Sequence, residues 1–211
     1  NTCKSMIQKG ITTFVDFREG GLDGAVLLKK VSDDVAIRSI ILGRLDFHPN
    51  SSGIKKNNPL PKEKLLELPS LVKTCDGIGI SGANEHSTSV LNSYSKTKKL
   101  RAIHSSETLE SVRKSKQITG KSETLRALSL NPDFLIHMTH ASKSDLEVTS
   151  KKTRGIVICP RANSSLSEGI PDIEKMQNAG CLLALGTDNV MINSPDMFRE
   201  MDFLWKVTMG I

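Results

Sequence analysis

The 211-residue sequence contains few aromatic residues, which make up 4% of the chain and include one Tyr and one Trp. A surface that binds nucleic acid by base stacking needs several aromatic side chains among basic ones. The net charge of +6 comes from lysine pairs in separate polar connections and helix ends, not from one basic surface. We therefore expect no nucleic-acid partner.

Long apolar runs and clustered cysteines are also missing. No stretch of about 18 apolar residues is present that could cross a bilayer, and the N-terminus lacks the apolar core of a signal peptide. The four cysteines are widely spaced and form no CxxC pair, so neither a zinc ribbon nor a disulfide framework is indicated. These absences predict a cytoplasmic protein without a membrane partner, whose thiols are reduced and buried.

Short apolar runs alternate with helix-like stretches, which is typical of repeated βα units, a parallel sheet and an α/β fold. Helices are predicted up to Lys9 and Gly10, over 22–32 and over 62–68, and the polar insertion over 48–61 is treated as a connection. Seven strands are predicted, over 11–17, 36–45, 77–80, 100–104, 134–137, 155–158 and 182–185. Seven such units fit an incomplete (β/α)₈ TIM-type barrel, with strands 2 to 8 present and the first strand upstream of Asn1.

Polar side chains stand at the ends of three of these strands, namely His104, His137 and Asp188. Catalytic groups of parallel barrels lie at the carboxyl ends of the strands, so these three are expected to meet. Imidazole and carboxylate ligands suit Zn²⁺ or Fe²⁺ and leave one position for a water, whose pKa the metal lowers toward about 7. Glu107, three residues after His104, is placed to act as general acid and base.

Each of these residues also has a structural interpretation. A single histidine after an apolar strand is more often a hydrogen-bonded core residue than a ligand. Glu107 alone would be read as a glutamate that a helix dipole favours near the helix N-terminus. The convergence of three such groups favours the metal site.

Five segments resemble the amidohydrolase superfamily in sequence and in order. They are GITTFVD at 10–16, HSSE at 104–107, LIHMTH at 135–140, CPRANSSL at 159–166 and ALGTD at 184–188. They are most similar to the chlorohydrolase and aminohydrolase branch, which includes methylthioadenosine/S-adenosylhomocysteine deaminases, guanine and cytosine deaminases and triazine hydrolases. The resemblance implies a metallo-hydrolase barrel.

The resemblance also implies roles for individual residues. The implied ligands of one divalent metal ion, zinc ahead of iron, are His104, His137 and Asp188. The implied catalytic residues are Glu107, His137 and Asp188. The implied substrate-binding residues are His86, Glu107 and Asn163. Two neighbours are left open: His140 is read as structural ahead of functional, and Arg161 either shapes the pocket or hydrogen-bonds within its loop.

The sequence departs from this family pattern in one respect. The first strand of the family ends in His-x-His, which supplies two metal ligands, and no His-x-His occurs in this sequence. The small β-sandwich that family members pack beside the barrel is not accounted for either. We therefore expect one barrel domain over 1–211 that is truncated at both ends and inactive as an isolated fragment. The apolar segment over 197–211 is expected to pack against the strands.

The predicted function is a metal-dependent hydrolase of C–N bonds other than peptide bonds. It would deaminate a purine-like or pyrimidine-like nitrogen heterocycle, a small-molecule partner, with metal-activated water. Homo-oligomerisation is left open. The alternatives are a non-catalytic barrel remnant without a complete metal site, and a hydrolase of a different C–N or C–Cl substrate.

Overall fold

The computed structural model describes residues 2–35 and 37–209. Seven strands form one parallel sheet in sequence order, as predicted. The strands are β1 (Thr13–Arg18), β2 (Arg38–Gly43), β3 (Gly77–Ile80), β4 (Leu100–Ser105), β5 (Phe134–His137), β6 (Gly155–Ile158) and β7 (Leu183–Leu185). Ala36, where the second strand is predicted to begin, lies outside the described residues.

Helices precede β1, occupy every connection between strands and follow β7. They are α1 (Thr2–Gln8), α2 (Gly21–Asp33), α3 (Ser51–Lys55), α4 (Lys62–Thr74), α5 (Thr88–Ser95), α6 (Leu109–Thr119), α7 (Glu123–Ala127), α8 (Lys143–Lys152), α9 (Pro160–Ser165), α10 (Ile173–Asn178) and α11 (Met197–Met209). Two short 3₁₀ turns, Ala83–Glu85 and Leu128–Leu130, complete the elements. None of these helices is long and apolar enough to span a membrane.

Apolar side chains alternate between two faces of the sheet, as the period of two in a strand requires. On β5, Leu135 belongs to the large cluster between sheet and helices, whereas Phe134 and Ile136 belong to the smaller cluster on the opposite face. On β4 the same alternation separates Ile103 from Ala102. His104 therefore follows Ala102 in alternation and lies on the concave face.

The sheet is an incomplete barrel. Each strand pairs only with its neighbours in sequence, and among the described residues no pairing joins β7 to β1. Val15 on β1 remains 52% exposed, as expected for a strand without a second partner. All strands are parallel, so their carboxyl ends lie at one edge, where the predicted site is expected.

Two predictions for the chain between β2 and β3 were wrong. The helix predicted to end at residue 68 continues to Thr74, through Pro69. It continues because Leu71, on the following turn, is fully buried in the core and anchors the last part of α4. The connection over 48–61 also contains α3, which begins at the cap Asn50, where the side-chain oxygen accepts a hydrogen bond from Gly53 N.

The predicted packing of the C-terminal segment was wrong for its largest side chains. On α11, Phe198 is 68% exposed and Trp205 is 64% exposed, whereas Leu204 packs against the core and Glu200 is the buried residue. The helix contacts β7, the last strand, and therefore covers it with one narrow face. Residues 210 and 211 of that segment lie outside the described residues. The cysteines are free as predicted, but Cys3 is only partly buried.

Candidate active site

Three side chains from three strand ends converge at the carboxyl edge of the sheet. One ligand-type atom each of Glu107, His137 and Asp188 lies within 4.8 Å of the other two. The predicted residues His137 and Asp188 are therefore brought together, with Glu107 as the third member of the group. His104 is adjacent, because its ring centroid is 5.2 Å from that of His137.

The His104 ring is held by a backbone carbonyl oxygen of the adjacent strand β3 and by an aromatic ring. Its Nδ1 lies 3.1 Å from the carbonyl oxygen of Ile80, and the edge of Phe17 packs against the ring at 4.6 Å between centroids. A carbonyl oxygen only accepts, so Nδ1 carries the proton and Nε2 keeps a free lone pair. Burial, reinforced by the neighbouring His137, lowers the pKa of His104 to about 4, which keeps the ring neutral.

The Nδ1 atom of His137 also faces an oxygen acceptor, which in this case belongs to a side chain. Its Nδ1 lies 3.1 Å from Oδ1 of Asn163, an acceptor, so Nε2 again carries the lone pair. Nε2 is buried and, among the described residues, has no hydrogen-bond partner, although Oε1 of Glu107 lies 3.1 Å away. The contact is close but not aligned as a hydrogen bond. Burial lowers the pKa of His137.

The backbone at the ends of β5 and β7 adopts a conformation that L residues seldom use. His137, Met138 and Asp188 have φ values of 66°, 58° and 58°, in the left-handed region. On a regular strand His137 would point to the same side as Leu135, toward the helices. The left-handed turn brings its ring to the concave face instead, beside His104. Such strain of about 1–3 kcal/mol per residue is concentrated at functional sites.

The loop that carries Glu107 is fixed by a buried carboxylate. Glu123 is 3% exposed and accepts hydrogen bonds from Ser106 N at 2.9 Å and from Ser111 Oγ at 2.7 Å. Thr108 is the N-cap of α6, so Glu107 precedes the helix and does not lie in its first turn. Its orientation is therefore set by the loop, and the helix-dipole interpretation of Glu107 does not apply.

A second glutamate influences the titration of Glu107. Glu168 lies on the loop after α9, and each of the two carboxyls shifts the pKa of the other. Burial raises the pKa of Glu107, and the charge of Asp188 raises it further. Burial and the charge of Glu107 raise the pKa of Glu168 to about 7. Both carboxyls are therefore stronger bases than a free glutamate.

A cavity of about 290 Å³ opens beside these groups, between the loops that follow β3 and β4. His104 and Glu107 form one wall, and Glu85 and Glu123 are among the carboxylates of the other walls. Oε2 of Glu85 is buried and has no hydrogen-bond partner in the part of the chain that the structure describes. The volume is close to the lower limit of small-molecule pockets, about 300 Å³.

The sequence profile of the amidohydrolase family matches residues 1–211. The chain belongs to the amidohydrolase family. A provisionally named aminohydrolase of Methanothermobacter thermautotrophicus is 37% identical over 218 residues, which cover 100% of this chain and 54% of the relative. A 5-methylthioadenosine/S-adenosylhomocysteine deaminase of Thermococcus sibiricus is 28% identical over 214 residues, covering 93% of this chain and 48% of the relative. The chain thus spans about half the length of the curated relatives it matches.

Solved structures show the same fold. Guanine deaminase from C. acetobutylicum, with bound guanine in its active site, superposes with a TM-score of 0.76 at 16% identity, over 98% of this chain and 55% of that chain. Atrazine chlorohydrolase from Arthrobacter aurescens, complexed with zinc, gives 0.71 at 13% identity, over 92% and 49% of the two chains. The predicted family and the incomplete barrel are confirmed.

Three other predicted residues of this amidohydrolase chain are held within the fold, and none of them lines the cavity. His86 is fully buried, edge-on to Tyr94 at 6.1 Å, and neither ring nitrogen has a partner among the described residues. His140 Nε2 lies 2.6 Å from the backbone oxygen of Glu168 and so supports that loop. Arg161 lies in α9 and pairs with buried Glu200 of α11 at 3.2 Å, so it joins two helices and does not bond within its own loop.

The sequence interpretation missed Glu168 and Glu123. Neither glutamate lies at a strand end, because Glu123 follows α6 and Glu168 follows α9. The available signal for Glu168 was the Ser167-Glu168-Gly169 turn, five residues after Asn163. Glu123 carries no sequence signal, since a glutamate after Ser122 reads as an ordinary first-turn residue.

Proposed function

We propose that this chain carries the acid/base residue and part of the metal site of an aminohydrolase that acts on a purine-like or other nitrogen heterocycle. The observation that supports it is the convergence of Glu107, His137 and Asp188 within 4.8 Å at the barrel mouth. Guanine, which is bound to the structurally similar deaminase, belongs to the same chemical class as the proposed purine-like substrate. Residues 1–211 are proposed to form one barrel domain that is truncated at both ends, located in the cytoplasm, with the oligomeric state left open.

The donor set fits a divalent metal ion, with His104, His137 and Asp188 as the ligands from this chain. Both imidazoles are neutral and each presents an Nε2 lone pair, because its Nδ1 proton is donated to an oxygen acceptor. The buried Nε2 of His137 lacks a hydrogen-bond partner among the described residues, as a ligand atom would in the absence of its ion. Two imidazole nitrogens and one carboxylate suit zinc and iron alike. Zinc is proposed ahead of iron because the structurally similar atrazine chlorohydrolase is complexed with zinc.

Such an ion, when bound, supplies an activated water as nucleophile. The chain's own residues supply the proton transfer and the orientation. Glu107 faces the same space as His137, and its raised pKa makes it a stronger base than a free glutamate, suited to accept a proton and pass it to a leaving nitrogen. Asn163 fixes the tautomer of His137. Asn163 and His86 are proposed to contact the heterocycle or to shape the pocket around it.

The experiment uses the full-length gene product loaded with zinc, with ammonia release measured for guanine, methylthioadenosine and related heterocycles. Glu107→Gln should lower kcat by about 10²–10⁴-fold, since it removes the general acid and base, and should leave the zinc content unchanged. Glu147→Gln, an exposed position on α8, is the matched control and should behave like the wild type.

Other outcomes discriminate the alternatives. A wild-type protein that holds no metal and turns over no substrate would contradict the proposal and favour a non-catalytic barrel. Chloride release from a chlorinated triazine without ammonia release would favour a C–Cl hydrolase on the same site, as the atrazine chlorohydrolase likeness suggests.

A further inference from the structure

We propose that Glu123 of α7 is a positioning residue for Glu107, and that it joins the two loops beside the cavity to one helix. The inference rests on the proposed function, because it adds a residue to the same proton transfer. The two loops follow β3 and β4, and they carry Glu85 and Glu107 respectively.

The first connection runs from Glu123 to the residue before Glu107. Oε2 of Glu123 accepts hydrogen bonds from Ser106 N at 2.9 Å and from Ser111 Oγ at 2.7 Å. Ser106 has a φ of 52°, in the left-handed region that L residues seldom adopt. Such a conformation persists only where the surroundings hold it, and the buried carboxylate is the acceptor for the Ser106 N–H. The direction in which the chain leaves Ser106 determines where the Glu107 side chain points.

The second connection runs from Glu123 to the loop after β3. Oε1 of Glu123 accepts a hydrogen bond from Nδ2 of Asn84 at 3.1 Å. The same Nδ2 donates to the carbonyl oxygen of Ser111 on α6 at 2.8 Å. The side chain of Asn84 thus attaches the loop after β3 to both α6 and α7.

Arg126, one turn further along α7, holds the same loop by its backbone. Its Nη1 donates to Oδ1 of Asn84 at 3.0 Å, and its Nη2 donates to the carbonyl oxygens of Ala83 at 2.6 Å and His86 at 2.5 Å. These two carbonyls lie on either side of Glu85, which lines the cavity. One face of α7 therefore fixes both walls, and Glu123 is the side chain that bonds to both loops.

This arrangement requires a carboxylate at position 123. Arg126 accepts no hydrogen bond, so the Asn84 amide must turn Oδ1 toward Arg126 and Nδ2 toward Glu123. Both Glu123 oxygens therefore face N–H groups of fixed orientation. A glutamine has the same shape, but its own NH₂ group would meet either Ser106 N–H or the Asn84 amide nitrogen. The geometry predicts that a shorter carboxylate replaces Glu123 better than an amide of equal size.

The test uses the zinc-loaded full-length gene product, with kcat and KM measured for ammonia release from guanine and methylthioadenosine. Glu123→Gln should lower kcat by about 10–100-fold, as misplacement of a reacting group does, with KM changed less than about twofold. Glu123→Asp should lose less than about 10-fold, because it keeps two acceptor oxygens. The control Glu147→Gln, on the exposed side of α8, should behave like the wild type, and zinc content should be equal in all variants.

The order of the two variants separates hydrogen bonding from packing. A residue that only fills space is replaced best by a side chain of its own shape. A loss in Glu123→Asp equal to or larger than that in Glu123→Gln would therefore overturn the inference. Wild-type activity in Glu123→Gln, or a loss of zinc in it, would also overturn it and leave the proposed function intact.

A double-mutant comparison separates positioning from substrate contact, since Glu123 also lines the cavity. If Glu123 acts through Glu107, Glu123→Gln should cause no further loss of kcat in a Glu107→Gln protein. A loss of equal size in both backgrounds, or a rise in KM without loss of kcat, would contradict positioning and assign Glu123 to direct substrate binding.

Amide hydrogen exchange of the metal-free full-length protein gives a measurement that does not depend on turnover. In Glu123→Gln, exchange should become faster in both loops, at Ser106 and over 82–86, while α2 keeps its wild-type rate. Glu147→Gln should match the wild type throughout. Unchanged exchange in either loop, or an equal increase in α2, would overturn the inference. A wild-type protein without turnover, together with the expected exchange pattern, would count against the proposed function alone.

Discussion

The oxygen atoms behind His104 and His137 determine what the two imidazoles can do. The carbonyl oxygen of Ile80 and the side-chain amide oxygen of Asn163 each accept a hydrogen bond from an Nδ1–H group. Both rings therefore present Nε2 lone pairs toward the mouth of the barrel, and burial keeps them neutral. In the proposed metal site, the orientation of both histidines would thus depend on Ile80 and Asn163, which are not themselves proposed ligands.

Buried His86 makes a testable contribution to acid sensitivity. Burial, with the nearby cations Arg44, His48 and Arg126, lowers its pKa from 6.5 to about 4. The unfolded state binds the proton first, so the free energy of unfolding should fall as the pH drops from about 6.5 to about 4. In His86→Gln the dependence should weaken by up to one proton, about 1.4 kcal/mol per pH unit, measured by urea unfolding of metal-free full-length protein.

An exposed, non-titrating position provides the control for this prediction. Gln177 is exposed on α10, so Gln177→Asn should leave the pH dependence unchanged. Equal slopes for wild type and His86→Gln between pH 4 and 6.5 would show that His86 stays solvated or paired in the folded state.

At the residue scale, the sequence identified the groups that stand at strand ends. His104, His137 and Asp188 could be found because the carboxyl edge of a parallel sheet is one place in space. Glu168 could not be found, because its approach to Glu107 depends on the course of the loop after α9. The hydrogen bond to His140 that fixes this course joins residues 28 apart in sequence. Such contacts leave no periodic signal.

At the element scale, strand prediction was accurate where burial is complete. The bounds of β3, β5 and β6 agree with the predicted ranges, since on these strands the apolar run and the buried run nearly coincide. The second strand was predicted too long because apolar Leu45 follows β2 within the core. On α11, the apolar side chains were assigned to the core, but apolar character alone does not say which face of a helix finds a partner.

The proline within α4 gives a prediction at this scale. Pro69 is exposed, has no N–H to donate to the turn before it, and its ring crowds that turn. Pro69→Ala should raise the free energy of unfolding by about 1–3 kcal/mol. The gain is smaller than the full cost of a proline inside a helix, because losing the proline also increases the conformational entropy of the unfolded chain. Thermal unfolding of the full-length protein measures this directly.

The neighbouring Ser70→Ala is the matched control for Pro69→Ala. It changes only helix propensity at an exposed site and should shift stability by about 0.5 kcal/mol or less. A destabilised Pro69→Ala would show that the proline fits a bend that α4 needs in order to place Leu71 in the core.

At the scale of the whole molecule, the proposed ligands come from three separate strand ends of an incomplete sheet. His104 lies near the end of β4, His137 is the last residue of β5, and Asp188 follows β7. Among the described residues, β7 pairs only with β6. An ion held by all three would join the middle of the sheet to its last strand. Metal binding should therefore affect the stability of the entire fold.

Zinc should accordingly raise the unfolding temperature of the full-length gene product. At a free zinc concentration about a hundred times the Kd, binding to the folded state alone adds about 2.7 kcal/mol to the free energy of unfolding. Calorimetry with zinc and then with a chelator should show a reversible increase in Tm. Asp188→Ala should lose most of this increase, whereas Asp202→Ala, at an exposed carboxylate of α11, should retain it. The same increase in both variants would mean that zinc binds away from the strand ends, because only a ligand at β7 can connect that strand to His104 and His137.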